Sequence, residues 1–250
     1  MSPHSPRIIG VIPARLASTR LPRKVLCQMA GEPMLAWVYR AARQCTALDQ
    51  VIVATDSLEV HQECSQRGWS CLMTSPELPS GTDRLHAVSR LVDADIYVNI
   101  QGDEPLLLPS HIHAILDLFT APHIQVTTPK VRCSPGEISN PNSVKVVTAL
   151  DGRALYFSRA TIPFDREGSG GATYWKHLGL YAYRKAALER FASLRPSQLE
   201  ISERLEQLRL LENGIDIHVA ETEHDTIGVD TEDDLRRVEK ILLERGSARS

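Results

Sequence analysis

The chain has 250 residues, of which 42% are apolar and 24% charged, the balance of a folded globular protein rather than a disordered one. Its 28 basic and 31 acidic side chains give a formal net charge of −3, which does not favour binding to nucleic acid or to an anionic membrane. No apolar stretch approaches the roughly 18 residues of a membrane span. The basic residues are 22 arginines and only 6 lysines, and arginine is the type that binds phosphate and carboxylate groups with two parallel hydrogen bonds.

Cysteine and histidine usage argues against a disulfide framework and against a zinc site. The five cysteines are dispersed and form no C-x-x-C pair, which favours reduced thiols. The N-terminal apolar run is broken at Pro13 and Arg15, so it is not typical of a secretory signal. The nine histidines contain no H-E-x-x-H pattern. We therefore expect a cytoplasmic protein without structural zinc.

The first half of the chain alternates β-rich runs with amphipathic segments, which is typical of βαβ units around a mainly parallel sheet. The predicted strands are 8–13, 50–55, 69–73 and 96–101. The predicted helices are 34–44, 58–67, 82–91 and 110–119. This pattern predicts an α/β fold.

The second half has a different character and predicts an antiparallel insertion. Strands over 143–149 and 154–159 flank the turn Asp151-Gly152, which is a hairpin signal. The remaining predicted elements are a strand over 177–183, a long helix over 199–211 that ends at Asn213-Gly214, a strand over 215–219 and a helix over 231–243. We expect a single domain over residues 1–250, in which an insertion at about 130–222 covers one side of the sheet.

The loop after the first predicted strand is strongly basic. Residues 13–24 contain Arg15, Arg20, Arg23 and Lys24 but no glycine, so the loop matches neither the P-loop nor the G-x-G-x-x-G pattern. Ligands of open α/β sheets bind beyond the carboxyl ends of the strands, and cations on a stiff loop suit a polyphosphate. The alternative is a solvated basic surface loop.

The predicted strand over 96–101 is followed by two carboxylates. Its last residue, Gln101, precedes Gly102, Asp103 and Glu104. Oxygen ligands at a strand end are a usual way to hold Mg²⁺ together with substrate phosphates. The alternative is an ordinary turn, which Gly-Asp and Glu-Pro also favour.

Two further segments allow either a functional or a capping role. Ser80 and Gly81 lie at the start of a predicted helix, where exposed N–H groups can meet a base or an anion, or where Thr82 or Ser80 simply caps the helix. Asp230 precedes a Thr231 to Asp234 capping-box pattern, so it is either a second metal ligand or part of that cap.

Nine stretches that span about residues 8–240 form a pattern when taken together. They are IPARLASTRLPRK, IVATD, SGTDRL, VNIQGDEP, NPNSVKVV, ALYFSRATIPFDR, HLGLYAYR, LEQLRLLENG and GVDTEDDL. In this order they resemble the 3-deoxy-manno-octulosonate cytidylyltransferase (CMP-Kdo synthetase) family. Two features depart from the family pattern: Arg23 stands where family members often have glycine, and the segment 167–176 is short and glycine-rich. The resemblance implies a Rossmann-like sheet of nucleotidyltransferase type with an antiparallel insertion covering the sugar site.

The resemblance also implies an activity and a site. Members of the family transfer CMP from CTP to the anomeric hydroxyl of 3-deoxy-D-manno-octulosonate (Kdo) with Mg²⁺, release pyrophosphate, and so activate Kdo for lipopolysaccharide synthesis. The implied CTP-binding residues are Arg15, Arg20, Lys24, Ser80, Gly81 and Arg84, and the implied metal ligands are Asp103 and Asp230. The implied sugar-binding residues are Gln101, Arg159, His177, Tyr181, Glu206 and Gln207. Arg15, Lys24 and Asp103 are the implied catalytic residues, and the family suggests a homodimer.

Several alternatives remain open at this point. The acidic sugar is either Kdo or an amino analogue, and the sugar hydroxyl loses its proton either to Asp103 or through metal coordination. Arg159 could instead pair with a core acid, His177 could be a satisfied strand histidine, and Glu206 could lie on a solvated helix face. A glycosyltransferase is disfavoured because Asp103-Glu104 is not a D-x-D motif. A nucleotide-sensing module is disfavoured because it would not need both carboxylates and the whole cationic loop.

Overall fold

The computed structural model describes residues 5–17, 20–168 and 170–247. The chain forms two compact units. The first unit comprises Met1–Ile112 and Thr226–Ser250, and the second comprises His113–Asp225. The predicted insertion at about 130–222 lies within the second unit.

The first unit is built on a parallel sheet. Its elements up to the boundary are β1 (Ile8–Pro13), a 3-10 turn (Lys24–Leu26), β2 (Gln28–Met29), β3 (Glu32–Pro33), α1 (Met34–Arg43), β4 (Gln50–Thr55), α2 (Leu58–Gln66), β5 (Cys71–Met73), α3 (Gly81–Ser89), β6 (Ile96–Asn99) and the first turn of α4 (Pro109–Leu116), whose remainder belongs to the second unit. Strands β5, β4, β1 and β6 pair side by side in that order, and every pairing is parallel. The α/β class with a parallel sheet is therefore confirmed, and the predicted elements of this half are present with small shifts at their ends.

The second unit contains an antiparallel arrangement around one central strand. Its elements are β7 (Val126–Arg132), a 3-10 turn (Pro135–Glu137), β8 (Lys145–Thr148), β9 (Ala154–Ser158), β10 (Trp175–His177), β11 (Tyr181–Arg184), α5 (Lys185–Ser193), α6 (Gln198–Glu203), α7 (Leu208–Glu212) and β12 (Ile217–Thr222). Strand β12 runs parallel to β7 along one of its edges. Along the other edge, β11 pairs antiparallel with the beginning of β7, and β10 pairs antiparallel with the end of β7. Strand β8 joins β10 to β9, and β8 and β9 form the predicted hairpin.

The chain then returns to the first unit through helix α8 (Glu232–Ser247). The buried side chains of this helix, Val238 and Leu242, pack in one cluster with Met29, Met34 and Leu106. The helix therefore fixes the segment in front of it, which carries Asp230, against the rest of the unit. None of the helices in the described part of the chain has the length and apolar content needed to cross a membrane.

The single strand predicted over 177–183 is wrong, because residues 178–180 separate β10 from β11. Opposite this gap lie Thr128 and Pro129 of β7. The Thr128 hydroxyl is within hydrogen-bond distance of the carbonyl oxygens of Leu178 (3.3 Å) and Leu180 (2.8 Å), which the interrupted ladder leaves without strand partners. The gap also explains how proline fits inside β7, a strand that the sequence pattern did not predict, since proline removes a ladder donor.

The long helix predicted over 199–211 is also wrong, because the chain forms two short helices, α6 and α7. Arg204 ends α6 in the left-handed conformation, with φ 54° and ψ 47°. The side chain of Arg159 donates to the carbonyl oxygens of Glu203 (2.8 Å) and Arg204 (3.4 Å). These oxygens would otherwise accept the N–H groups of the next helical turn, so a contact distant in sequence breaks the helix.

Candidate active site

A polar pocket of about 550 Å³ lies in the first unit at the carboxyl ends of β1 and β6. Its lining includes eight of the predicted site residues: Arg15, Arg20, Lys24, Ser80, Gly81, Arg84, Gln101 and Asp103. Asp230, the ninth, approaches from the segment before α8. The structure therefore brings together all of the predicted triphosphate, base and metal residues in one pocket.

Two local interactions place Asp230 beside Asp103. The backbone N–H of Val229 donates to the Asp103 carbonyl oxygen at 2.9 Å. The carboxylate of Asp234 accepts from the N–H groups of Asp230 (3.1 Å) and Thr231 (2.9 Å), and the Thr231 hydroxyl caps Asp234 in return. The capping box predicted at the start of α8 is thus present, and it leaves the side chain of Asp230 directed into the pocket lining.

Lys24 connects the two pocket carboxylates. Its Nζ lies 2.5 Å from Asp103 Oδ2 and 2.9 Å from Asp230 Oδ1, while Arg20 Nη2 lies 2.9 Å from Asp230 Oδ2. Burial disfavours the ammonium form, but the interactions with Asp103 and Asp230 outweigh it and raise the pKa of Lys24. Lys24 is therefore a charged group held inside the pocket, unlike a lysine of a solvated loop.

The other two arginines of the basic loop lie in different surroundings. Arg15 is exposed at the pocket wall and makes no hydrogen bond or ion pair with any residue that the structure describes. Arg23 points away to Glu59 of α2, with which it forms an ion pair. Its backbone is left-handed (φ 57°, ψ 29°), a conformation that glycine adopts without steric cost, so glycine would suit this position.

Ser80 and Arg84 have structural partners in addition to their place in the pocket. Ser80 caps α3, since its Oγ accepts from Asp83 N–H at 3.1 Å. The Arg84 side chain is only 2% exposed and donates to Asp56 Oδ2 at 2.5 Å and to Thr74 Oγ1 at 2.6 Å. Asp56 was missed by the sequence reasoning, although its position directly after β4 is a signal of the same kind as that of Asp103.

Gly102 allows the Asp103 loop to approach strand β1. A Cβ atom at position 102 would lie 2.8 Å from the carbonyl oxygen of Pro13, a backbone atom that cannot rotate away. Glycine is therefore required for the present path of the chain, and this path sets where Asp103 enters the pocket.

Replacing Gly102 with alanine is expected to lower the melting temperature by about 3–10 °C, because relieving such an overlap costs about 1–3 kcal/mol in a chain of this size. Activity should fall as well, since the backbone that carries Asp103 must move. The matched control is Gly136→Ala, where an added Cβ meets nothing within 4 Å. Differential scanning fluorimetry of both variants checks this result, and equal melting temperatures would show that the loop adapts freely.

The predicted sugar-binding residues outside the first unit include a pair on β10 and β11, the partly exposed His177 and the buried Tyr181. The rings of His177 and Tyr181 have centroids 5.3 Å apart, and His177 Nε2 lies 3.0 Å from the Thr128 hydroxyl. Burial lowers the pKa of His177 to about 3, so the ring is neutral at physiological pH. Burial also raises the pKa of Tyr181 well above its usual value, with contributions from Tyr183 and Glu206, so the phenol stays protonated.

Two polar atoms of these predicted residues are buried without a well-oriented hydrogen-bond partner among the described residues. They are the Tyr181 hydroxyl and Gln207 Nε2. Thr128 only partly offsets the rise in the Tyr181 pKa, and its own hydroxyl is already engaged by His177 and the Leu180 carbonyl. Buried polar groups are nearly always hydrogen-bonded, so these atoms indicate a place for a polar ligand.

Arg159 is held by backbone carbonyl groups. Its guanidinium donates to the carbonyl oxygens of Pro141 (3.0 Å), Glu203 and Arg204. It forms no ion pair with a carboxylate among the residues that the structure describes. The alternative in which its side chain pairs with a core acid is therefore wrong: the carboxylate of Glu203 accepts from the backbone N–H of Arg159, not from its guanidinium.

The fit of the pocket to a divalent cation follows from its donor set. A single positively charged atom, Lys24 Nζ, contacts both Asp103 and Asp230, so the two carboxylates converge on one small region. No group of three or more His, Cys, Asp or Glu side chains suitable for a metal occurs within the described ranges. Two carboxylates suit Mg²⁺, which is usually bound by one or two carboxylates together with substrate phosphates and water.

Comparisons with known proteins find cytidylyltransferases that match nearly the whole chain. A family model described as cytidylyltransferase matches residues 9–217. The chain is 66% identical to a 3-deoxy-manno-octulosonate cytidylyltransferase of Acidobacterium capsulatum, covering 95% of this chain and 97% of the relative. It is 56% identical to a protein of the same name from Koribacter versatilis, over 96% of this chain and 91% of that relative. A solved CMP:2-keto-3-deoxy-manno-octonic acid synthetase in complex with CTP is 40% identical, with a TM-score of 0.92 over 96% of this chain and 99% of that one.

Proposed function

This chain belongs to the 3-deoxy-manno-octulosonate cytidylyltransferase family, and we propose that it transfers CMP from CTP to the anomeric hydroxyl of Kdo, releasing pyrophosphate. The observation that carries the proposal is the pocket of the first unit, in which cations of the basic loop meet two carboxylates at the carboxyl ends of β1 and β6. The CTP complex of the similar synthetase supports the choice of nucleotide.

The reaction requires in-line attack of the sugar hydroxyl on the α-phosphorus, so the protein mainly positions the reactants and neutralises charge. Arg15, Arg20 and Lys24 line one pocket and supply three positive charges for the triphosphate. Arg15 has no partner to release among the described residues, whereas Lys24 must exchange a carboxylate for a phosphate oxygen. Such fixed cations stabilise the charge that develops on the leaving pyrophosphate.

Mg²⁺ is the cofactor of the proposed reaction, and Asp103 and Asp230 are its proposed ligands. When bound, the ion would supply Lewis acidity and favour the ionised form of a coordinated sugar hydroxyl. Asp103 and Asp230 suit this role because both reach the same point in the pocket and both are oxygen donors.

The proposed sugar-binding residues offer the groups that an acidic sugar needs. The guanidinium of Arg159 is held by carbonyl groups and forms no ion pair among the described residues, which suits binding of the Kdo carboxylate. The protonated Tyr181 and the buried amide of Gln207 can donate to sugar hydroxyl groups. The other proposed sugar-binding residues are His177, Glu206 and Gln101. An amino analogue of Kdo is the second candidate substrate, since the carboxylate would be recognised in the same way.

The proposal also includes a homodimer in the cytoplasm. Large apolar side chains are exposed in the second unit, among them Leu155 (54%), Phe164 (84%) and Ile201 (60%), and a second copy of the chain could cover them. All five cysteines are free thiols, which suits a reducing compartment. Light scattering after gel filtration measures the molecular mass in solution, and a monomer at micromolar concentration would contradict the dimer.

Pyrophosphate release in the presence of CTP, Kdo and Mg²⁺ tests the activity directly. ATP, GTP and UTP serve as nucleotide controls, and sialic acid and an amino analogue of Kdo serve as sugar controls. We expect turnover with CTP and Kdo that stops when EDTA removes the metal. An enzyme without turnover on Kdo, or with faster turnover on another acidic sugar, would overturn the assignment.

A further inference from the structure

We infer that Glu203 is a positioning residue for the acidic sugar, because its carboxylate and carbonyl groups together fix Arg159 and the turn that precedes Glu206 and Gln207. The inference rests on the proposed function, in which these three residues bind the sugar. Glu203 itself is the last residue of α6 and is half-buried.

The carboxylate of Glu203 ties the end of α6 to the end of β9. Its Oε1 accepts from the Ser158 hydroxyl at 2.6 Å, and its Oε2 accepts from the backbone N–H of Arg159 at 3.0 Å. The carbonyl oxygen of the same residue accepts from Arg159 Nε at 2.8 Å. Glu203 therefore holds Arg159 at both its backbone and its side chain.

This arrangement orients the Arg159 guanidinium without neutralising it. Three of the five N–H donors of a guanidinium are engaged here, by the carbonyl oxygens of Glu203, Pro141 and Arg204. Carbonyl acceptors fix the plane of the group but bring no full negative charge. An arginine held in this way is preorganised for an anionic ligand, and its remaining donors have a defined direction.

The same tether sets the position of the turn between α6 and α7. Arg204 takes the left-handed conformation directly after Glu203, and the following residues lead through Glu206 into Gln207, the residue before α7. Gln207 is buried and its Nε2 lacks a well-oriented partner among the described residues. The Glu203 contacts tie this turn to β9, whereas the ion pair between Glu200 and Arg209 joins α6 to α7 without reaching β9.

A glutamate is an unexpected choice near an anionic ligand, and the contacts explain it. Both carboxylate oxygens accept hydrogen bonds, one from Ser158 and one from Arg159. Glutamine has only one acceptor oxygen. If that oxygen stays on the Arg159 N–H, the NH₂ group faces the Ser158 hydroxyl, which already accepts from Ala160 N–H at 3.0 Å and would have to turn its own hydrogen away. Glu203→Gln therefore keeps the size of the side chain, removes its charge and weakens one side of the tether.

The expected result for Glu203→Gln is a rise of about tenfold in the KM for Kdo, the scale of one lost orienting hydrogen bond, with the KM for CTP unchanged within about twofold. Ser158→Ala removes the hydroxyl that donates to Glu203 and accepts from Ala160 N–H, and it should change the KM for Kdo in the same direction. Steady-state kinetics with each substrate varied, together with melting temperatures, give the required readouts.

Glu200→Gln is the matched control. Glu200 lies on the same helix, and its carboxylate accepts from Ser197 N–H (3.0 Å) and from Arg209 Nε (2.8 Å) and Nη2 (2.5 Å). This variant should lose stability at least as much as Glu203→Gln and keep its KM for Kdo. If Glu203→Gln leaves the KM for Kdo unchanged, or if both variants raise it equally, the inference is overturned while wild-type turnover still supports the proposed function. A wild-type enzyme that does not use Kdo would overturn the proposed function and the inference together.

Discussion

Replacing Asp103 with asparagine is expected to lower kcat by at least about 100-fold, the scale of losing one key electrostatic group in an active site. The carboxylate belongs to the loop that follows β6, lies 2.5 Å from Lys24, and converges with Asp230 on a single point. Asparagine keeps the shape and the turn but removes the negative charge that a divalent cation requires. Initial rates over a range of Mg²⁺ concentrations measure the effect.

The control for this prediction is Asp233→Asn. Asp233 lies in the first turn of α8, is exposed, and contacts only Arg236 at 3.3 Å among the ion pairs of the described residues. We expect its kcat to stay within about twofold of wild type, as exposed ion pairs contribute little. Near-normal activity of Asp103→Asn at every Mg²⁺ concentration would mean that Asp103 serves only in the turn and in the contact of its carbonyl with Val229.

The parallel part of the fold could be predicted from sequence because its signals are local. The strands over 8–13 and 50–55 are continuous apolar runs, and the structure has them at those bounds. Helix α1 buries Met34, Leu35 and Val38, which recur at helical spacing. Where burial alone decides the structure, the pattern of apolar residues is sufficient.

The errors of the second unit arise from contacts between residues far apart in the sequence. The apolar pattern of 199–211 is helical, but Arg159, about 45 residues earlier, captures the carbonyl groups at Glu203 and Arg204. Strand β7 contains Pro129, which argues against a strand unless the neighbouring ladder is already interrupted at that point. No local pattern contains this information.

At the candidate site, too, local sequence patterns predicted some features, whereas contacts between residues far apart in the chain could not be predicted. The rule that ligands bind at the carboxyl ends of parallel strands placed the basic loop and Asp103 at one edge of the sheet. It did not show that Lys24 would contact Asp103 and Asp230, which lie 79 and 206 positions away in the chain. Glu203 was missed because its role depends on Ser158 and Arg159, and nothing in its own neighbourhood signals it.

Replacing Lys24 with methionine is expected to lower kcat/KM for CTP by at least about 100-fold, since one of the preorganised cations for the triphosphate is lost. Its effect on stability should be much smaller, because the two carboxylates left behind are partly solvated and can bind water or ions. The control is Lys240→Met on α8, an exposed lysine whose ion-pair distance to Glu244 is 4.0 Å, and it should change neither quantity measurably. Kinetics and thermal melts on the same preparations provide the comparison.

The pH dependence of the stability difference between wild type and Lys24→Met follows from the raised pKa of Lys24. A group whose pKa is raised by folding contributes its full stabilisation below its unfolded-state pKa and loses it as the pH rises through the folded-state pKa. For lysine both values lie above about pH 10. The difference in melting temperature should therefore stay constant between about pH 6 and 9.

Lys24→Met should also bind a divalent cation more tightly in the absence of CTP. In the present structure the ammonium group contacts both Asp103 and Asp230, so a cation must displace it in order to reach them. Removing this competitor leaves two converging carboxylates without their shared counter-charge, and like charges at close range favour binding of a cation. Titration with Mn²⁺ by calorimetry should show an affinity at least about fivefold above wild type, whereas Lys240→Met should match wild type. A Lys24→Met variant that binds Mn²⁺ no better, melts far below wild type and still uses CTP normally would make Lys24 a structural residue.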